Sequence, residues 1–495
     1  MGQENDPKES TAGILINIGK VKASFFINKS NNEACATINK KGIISHVYVN
    51  SKEFENFLRL CYYRETGKAP SKEAMSQALG MFESFAYDSE VRHDLKLRVK
   101  EVNGNFYYSL NNDNKEIIKV SDRLAKIIQT KKPYFTSNRN TAAQVKPDLD
   151  NGDIKLLLKY LNLKHAYQTV LLLVYIVTCM IASIPHAILI ICGEKGAAKS
   201  TTSRMIKSIV DPSNSDILSM PSTLENLELI LTSNYMPVFD NIDSINQAVS
   251  DIFCIASTGG SVIKRKLYTN SDMHIATFKQ CLILNGISVV ATKADILDRS
   301  LLIELERIKE QDLQDEKTLW KNFEKDKPAI LGGIFNLLQK ALNLYETVKL
   351  EKSFRMADFT KWGCAVSEAI GYGQEAFLNA LEKNRLKLND EALNENVIAT
   401  VLIAFMNKKT SWAGSVTELF NELTNTAFQQ GIDTHSKLWP KAANVLSRRL
   451  NDIKSNLRSM GIVFTIRHMN AAKMIEIKNK NAKDNLNEDF KELAV

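Results

Sequence analysis

The sequence predicts an α/β protein. Its core is an α/β P-loop unit that grips phosphate, preceded by an α+β domain and followed by a helical lid or connector and a C-terminal helix–helix–hairpin domain. Three observations carry this. Ile188 to Val210 (ILIICGEKGAAKSTTSRMIKSIV) passes from an all-apolar run through a small-residue loop into helical spacing, the order of a buried parallel strand, a glycine loop and a helix. Met236 to Asp240 is a second short apolar run that ends in an acid. Trp439 to Ile477 reads as an amphipathic helix followed by two short strands, with another helix (VTELFNEL) before it.

The chain of 495 residues has room for about three domains. A net charge of +8 is a modest bias toward polyanions. Cys35, Cys61, Cys179, Cys192, Cys254, Cys281 and Cys364 are scattered with no CxxC pair. This is reduced, cytoplasmic usage rather than a disulfide framework or a zinc site. No secretory signal precedes the first strand. Thr169 to Ile184 is apolar and nearly continuous with Ile188 to Cys192, but Ser183, Pro185 and His186 interrupt it. A buried helix feeding a buried strand is expected there, not a membrane span.

In chain order, 1–12 is polar and expected to be disordered. Residues 13–145 are expected to form one α+β domain. Gly13 to Asn50 alternates as strands do, helices follow at Ser51 to Glu65 and Ser71 to Tyr87, and Asp94 to Val120 reads as a hairpin turning at Asn103-Gly104. Asp148, Asp150 and Asp153 show no metal-binding spacing and read as charged surface.

The expected core is 150–315. Amides of the loop Gly193, Glu194, Lys195, Gly196, Ala197, Ala198 and of the helix start at Lys199, Ser200 and Thr201 would cradle a triphosphate. Lys199 would neutralise its β- and γ-phosphates and Ser200 would ligate Mg²⁺. Ala198 stands where glycine is usual, so a positive φ there would cost some stability. Ser222 with Glu225 resembles a capping box for a helix through Leu231. Asp240 closes a short strand where a second group on Mg²⁺ belongs. Asn241 follows it, where a Glu usually orients the attacking water. Asn can align water but cannot take its proton, so either Asp243 supplies the base or hydrolysis is slow. Asn285 ends the strand Cys281 to Leu284 and would lie beside Asp240 if the two strands are neighbours. Arg299 suits either phosphoryl stabilisation from a neighbouring subunit or a plain salt bridge to Asp295 or Asp298. Between the strands, Gly259 to Asp272 reads as a basic hairpin. Its Lys264, Arg265, Lys266 and Tyr268 suit a DNA backbone and a base stack, or simply a solvated edge.

Residues 316–408 read as helices, with Ile330, Ile334, Leu337, Leu338, Ala341 and Leu342 on one face. In 409–478 one helix is expected from Trp439-Pro440 to Met460. Leu446, Leu450, Ile453, Leu457 and Met460 lie on its apolar face, and Lys441, Asn444, Arg448, Asn451 and Ser455 on the other. Ile462 to Ile466 and Met474 to Ile477 would pair, with Arg467, His468 and Lys473 around the tip. This looks like a winged helix, whose helix would enter the major groove of duplex DNA. A helix packed on the core, or a winged helix that binds protein, are the other readings. His468 has no partner for a metal. The tail 479–495 is polar and expected to be disordered.

The order GEKGAAKST, DPS, VFDNI, TGG…KRKLYT, LILNGI and LDRS resembles AAA+ ATPases of phage, plasmid and mobile-element replication proteins. These are related to superfamily 3 helicases and to the helicase halves of primase-helicases. The resemblance is specific from Ile188 to Leu305. It implies ATP and Mg²⁺ at Lys199, Ser200 and Asp240, a γ-phosphate sensor at Asn285, a trans-acting arginine finger at Arg299, and a second arginine sensor at Arg355 in the helical lid. It also implies a hairpin around Arg265 that reaches single-stranded DNA in the channel of a homo-hexamer. No primase active site is recognised in the chain, so a primase would act in trans. The expectation is an ATP-dependent DNA helicase or translocase. An ATP-switched initiator or loader with weak hydrolysis and a protein-remodelling machine are the alternatives.

Overall fold

The computed structural model describes residues 9–265, 273–286, 294–312, 314–352, 355–394, 396–436, 438–469 and 472–482. The first unit holds α1 (Thr11–Lys22), β1 (Ala23–Asn28), β2 (Glu33–Lys40), β3 (Ile43–Tyr48), α2 (Lys52–Thr66), α3 (Lys72–Asp88) and β4 (Arg92–His93). Its sheet runs β3-β2-β1-β4. The strand-like alternation from Gly13 is overruled, because Thr11–Lys22 is a helix. The Ser10 hydroxyl accepts from the Gly13 amide at 3.1 Å, which starts the helix where disorder was expected to end. Ala12, Leu15 and Ile18 then bury at helical spacing. Gly19 lies under the Phe82 ring of α3, where a Cβ would come within 2.1 Å of it. Helix-on-helix packing outweighs the local pattern.

A second sheet follows, with β5 (Val99–Val102), β6 (Asn105–Ser109), β7 (Ile117–Val120) and β8 (Ala125–Ile128) in that order. Asn103 and Gly104 both take positive φ, +51° and +70°, as a two-residue hairpin turn requires.

The central α/β region contains a 3₁₀ turn (Ile154–Tyr160), α4 (Tyr167–Thr178), β9 (Ile188–Gly193), α5 (Lys199–Val210), α6 (Leu224–Ser233), β10 (Val238–Phe239), α7 (Gln247–Thr258), β11 (Gly260–Arg265), β12 (Met273–Phe278), β13 (Ile283–Asn285), α8 (Ala294–Leu297) and β14 (Ser300–Leu305). Its sheet runs β10-β13-β9-β14, parallel throughout, and Leu218 adds a parallel bridge to Phe239. Leu189, Ile191, Ile283, Leu301 and Ile303 face one core; Ile188, Ile190, Leu282, Leu284 and Leu302 face another. Alternate residues on both faces are buried, which is why these strands read as unbroken apolar runs. The cap of α6 is Thr223, accepting from Asn226 at 3.3 Å, one residue later than expected.

Helices α9 (Glu316–Leu344), α10 (Ala357–Ile370), α11 (Gln374–Asn394) and α12 (Val397–Met406) follow. Val99, Phe106, Tyr108, Ile118 and Val120 of the second sheet share one core with α4, α9 and α10, and Phe106 meets Trp362 edge-on at 5.6 Å. The span 13–145 therefore divides: its first unit has a core of its own, while the second sheet is built into the central body. The linker at 148–153 is strapped across α9, where Gly332 and Gly333 allow backbone contact; a Cβ on Gly332 would lie 1.7 Å from the Asp148 carbonyl oxygen. Asp148 bonds the Asn151 amide at 3.0 Å and Asp153 the Lys155 amide at 2.8 Å, so these acids serve as local caps.

The C-terminal region adds β15 (Ser411–Ser415), α13 (Val416–Gln429), α14 (Ala443–Asp452), α15 (Lys454–Ser459), β16 (Ile462–Met469) and β17 (Ala472–Asn479), with its sheet ordered β15-β17-β16. The single helix expected to reach Met460 is broken at Ile453, whose ψ of 11° ends α14, and Met460 is exposed. Among the described residues no helix is long and apolar enough to cross a membrane; α4 is buried on all sides.

Candidate functional site

β9, clamped between β13 and β14, delivers the loop that precedes α5. Gly193 takes φ +153° and Gly196 φ +84°. A Cβ at Gly193 would lie 2.6 Å from the Leu305 carbonyl oxygen, so only glycine fits. Ala198 is left-handed, at φ 56° and ψ 31°, and no side chain caps α5. The first amides of the helix are thus left for an anion, reinforced by the helix dipole. The Lys199 ammonium folds over the loop and donates to the carbonyls of Gly193 (2.7 Å) and Glu194 (2.9 Å). Both bonds can be exchanged for phosphate oxygens. Arg307 flanks Gly196 and Ile308 bonds back to it. Sequence reasoning missed this second cation at the loop, because Arg307 sits on an irregular segment with no motif around it.

The strand order puts β13 between β9 and β10. The Ser200 hydroxyl nevertheless reaches across and donates to Asp240 Oδ2 at 2.8 Å. Asn241 is exposed and left-handed, with φ +54°, and its amide bonds Asp240 Oδ1 at 2.9 Å. Asp243 is exposed. Because β10 pairs with β13, Asn285 follows directly after the Phe239–Leu284 pair and lies beside Ile191. Asn285 is 0% exposed, yet both polar atoms of its amide lack a partner among the described residues. A buried amide without partners is costly, and this one stands at the carboxyl edge of the sheet, the edge that carries the loop from Gly193 to Ala198.

Arg299 sits at the other edge. The Ile188 amide donates to its carbonyl at 2.8 Å, so the length of β9, about 17 Å, separates it from Gly193. Its guanidinium pairs with Asp295 at 2.6 Å, the salt bridge weighed from sequence. Arg355 also pairs with Asp295 and lies 2.9 Å from Asp298. The two arginines share one acid; Arg355 is beside Arg299, not beside Lys199. Burial pushes the Asp295 carboxyl up, but its bond from Arg299 and the nearby Arg355 charge outweigh this and hold it below the ordinary value.

β11 and β12 pair antiparallel, with Lys264 opposite His274 and Arg265 opposite Met273. Lys266 and Tyr268 lie outside the described residues. At the hairpin's root, Thr277 bonds the Ser30 carbonyl at 3.0 Å, joining it to the first unit. In the C-terminal region Asn444, Arg448 and Asn451 are exposed along one face of α14, opposite buried Leu446 and Leu450. Lys441 precedes that helix and bonds the His435 carbonyl at 2.8 Å. Arg467, His468 and Lys473 are exposed near the end of the β16–β17 hairpin.

Residues 154–391 match the family model described as the actinomycete integrative conjugative element replication protein. Residues 398–488 match the model of the RepA C-terminal domain of the same elements. Among solved structures, the chain is similar to the apo C-terminal region of NrS-1, at 11% identity and a TM-score of 0.40, covering 96% of this chain and 100% of that one. An A-form apo structure of the same region gives 12% identity and a TM-score of 0.41, covering 94% and 98%. No curated protein matches the sequence.

Proposed function

We propose that this chain, a replication protein of the mobile-element type, is an ATP-dependent DNA helicase or translocase. In this reading the central body is a P-loop ATPase of the AAA+ kind that works as a ring of copies, taken to be hexameric, and the C-terminal region is a winged helix on duplex DNA. The observation that carries it is the 2.8 Å contact between the Ser200 hydroxyl and the Asp240 carboxylate, made beside an uncapped helix start. A hydroxyl and a carboxylate converging next to an anion cradle suit Mg²⁺ on a nucleoside triphosphate. Ser200 and Asp240 would hold the ion, whose charge favours phosphoryl transfer when bound.

The remaining roles follow from position. Lys199 trades its two loop carbonyls for phosphate oxygens. The partnerless amide of Asn285 gains its partner in the γ-phosphate or the attacking water. Arg299, a strand length away from its own loop, can serve only a phosphate held by the next copy. β13, which carries Asn285, is fed directly by the β11–β12 hairpin, so a shift in the Asn285 contacts would be passed to Lys264, Arg265, Lys266 and Tyr268 on single-stranded DNA. Asn444, Arg448 and Asn451, with Lys441 and the hairpin residues Arg467 and Lys473, would meet duplex DNA, and a separate primase would be recruited in trans. The test is ATPase activity with and without single-stranded DNA. Stimulation that Lys199→Ala abolishes is expected; strand-independent turnover without unwinding would reject the helicase.

One feature favours a second reading, an ATP-switched initiator or loader that hydrolyses weakly. Asn241 puts an amide where a carboxylate would take the water's proton. Tight ATP-dependent DNA binding, with residual turnover indifferent to Asp243→Ala, would select it.

A further inference from the structure

A cavity of about 680 Å³ lies between the first unit and the central body. Tyr235, Ala182 and Gln280 are among its walls, just ahead of β10, β9 and β13. It therefore opens at the amino edge of the sheet, away from the phosphate loop.

Two residues of its walls, Thr136 and Gln280, are nearly buried. Thr136 is 8% exposed and Gln280 7%. Among the described residues the Thr136 hydroxyl has no hydrogen bond, and neither does the Gln280 Oε1, although Gln280 Nε2 donates to the Leu231 carbonyl at 2.9 Å. Both atoms lie beneath the cavity surface, so recognition rests on the charged side chains around them. The charge around them is unbalanced. Lys52, Lys96, Arg139 and Lys279 line the cavity against Glu33 and Glu53; Lys52 is already held by Glu55 at 2.6 Å and Glu53 by Lys40 at 2.7 Å. Lys96 has Asp94 at 3.0 Å, whereas Lys279 donates to the Ser183 carbonyl and has no ion pair among the described residues. Burial pulls the Lys279 ammonium below its usual range and the Lys96 charge adds to this. An anion is the species that relieves both. Leu95, Leu97 and Phe278 supply apolar wall.

We propose that this cavity receives unpaired nucleotides of the DNA strand that the β11–β12 hairpin handles. Backbone phosphates would meet Lys96, Arg139 and Lys279, and a base would lie against the apolar wall of Leu95, Leu97 and Phe278. The volume suits about one or two nucleotides. The bond from Thr277 to Ser30 makes the hairpin root and the first unit two walls of one groove. The first unit then serves to hold the strand as it leaves or reaches the hairpin. The proposal rests on the DNA-motor reading above.

The test uses the full chain with Mg²⁺ and a slowly hydrolysed ATP analogue. It measures anisotropy of a labelled oligothymidine and maps crosslinks from an iododeoxyuridine oligonucleotide. Thr136→Val alters only a hydroxyl beneath the wall and serves as the control, so the thermal midpoint and the strand affinity should both hold. Lys96→Glu with Arg139→Glu should weaken binding at least ~tenfold and flatten its salt dependence. Crosslinks should fall on peptides carrying Tyr48, Tyr235 or Phe278. If wild-type protein binds the strand but the Lys96→Glu, Arg139→Glu variant binds equally well and crosslinks fall elsewhere, the cavity assignment fails and the motor reading stands. If wild-type protein binds no strand, the motor reading fails and takes the cavity with it. If free thymidine monophosphate displaces the strand at equal nucleotide concentration, the occupant is a free nucleotide and the proposal is overturned.

Discussion

The Arg98 guanidinium and the Asp211 carboxylate form an ion pair at 3.1 Å, with side-chain exposures of 0% and 6%. Arg98 also donates to the carbonyls of Ser109, Ala142 and Pro212. Asp211, at the end of α5, accepts from the amides of Tyr235 and Met236 at 2.9 Å and from Lys207 at 3.3 Å. One buried network thus joins the second sheet, the helix after the phosphate loop and the strand that carries Asp240.

Breaking that network should be expensive. Arg98→Met leaves Asp211 with one cation and is expected to cost about 3–5 kcal/mol in chemical denaturation, the range for removing one member of a buried pair. Burial pushes the Asp211 carboxyl up, but Lys207 and Arg98 outweigh it and hold it below the ordinary carboxylate value. A depressed carboxyl stabilises the fold above its unfolded value of about 3.9 and loses that contribution as pH falls through the folded one. Wild-type protein should therefore show this part of its acid unfolding only below about pH 4, and Arg98→Met should be less pH-sensitive there.

Ala198 holds a left-handed backbone at φ +56°, which costs a non-glycine residue about 1–2 kcal/mol, offset in part by the greater chain entropy of glycine. Ala198→Gly is expected to raise thermal stability by up to about 1 kcal/mol and to leave nucleotide affinity no weaker. A clear loss of stability would show that the loop does not sit as described.

Lys199 contacts only loop carbonyls, so Lys199→Ala should leave the thermal midpoint unchanged while cutting ATP turnover more than ~10²-fold. Calorimetry with Mg·ATP checks the binding side. Unaltered turnover would remove Lys199 from the site.

Arg299 should matter in trans. Arg299→Ala is expected to cost under about 1 kcal/mol of stability, since its Asp295 partner is largely exposed. Turnover should fall ~10³-fold or more, the range for such fingers. Rings mixed from Arg299→Ala and Lys199→Ala copies should recover part of the activity, because some interfaces then hold an intact loop facing an intact arginine. Absence of recovery at every mixing ratio would argue against a shared site.

On the C-terminal region, Arg448→Ala should weaken duplex binding by about 1–3 kcal/mol if it reads a base, or uniformly with a salt slope smaller by about one if it holds phosphate. Competition titrations at two salt concentrations separate the two; indifference to both would point to a protein partner instead.

The strand, loop and helix from Ile188 to Val210, the short strand before Asp240 and the strand ending in Asn285 were legible because each contains a short apolar run closed by a particular polar residue. That signal is local and survives any packing. The first helix was not legible. Gly13 to Lys22 alternates well enough to pass for a strand, and only the seat of Gly19 under Phe82 makes it helical. Nor could spacing show that 13–145 divides, since the second sheet buries its apolar face on helices found two hundred residues later.

By itself the sequence determined the strand, the tight loop and the helix start, because backbone conformation at Gly193, Gly196 and Lys199 depends on the residues there and their immediate neighbours. Tertiary structure alone decided that Ser200 meets Asp240, that Arg299 and Arg355 share Asp295 away from the loop, and that four basic side chains line one cavity. Those are relations between surfaces brought together by burial of apolar area, and burial depends on the whole chain at once.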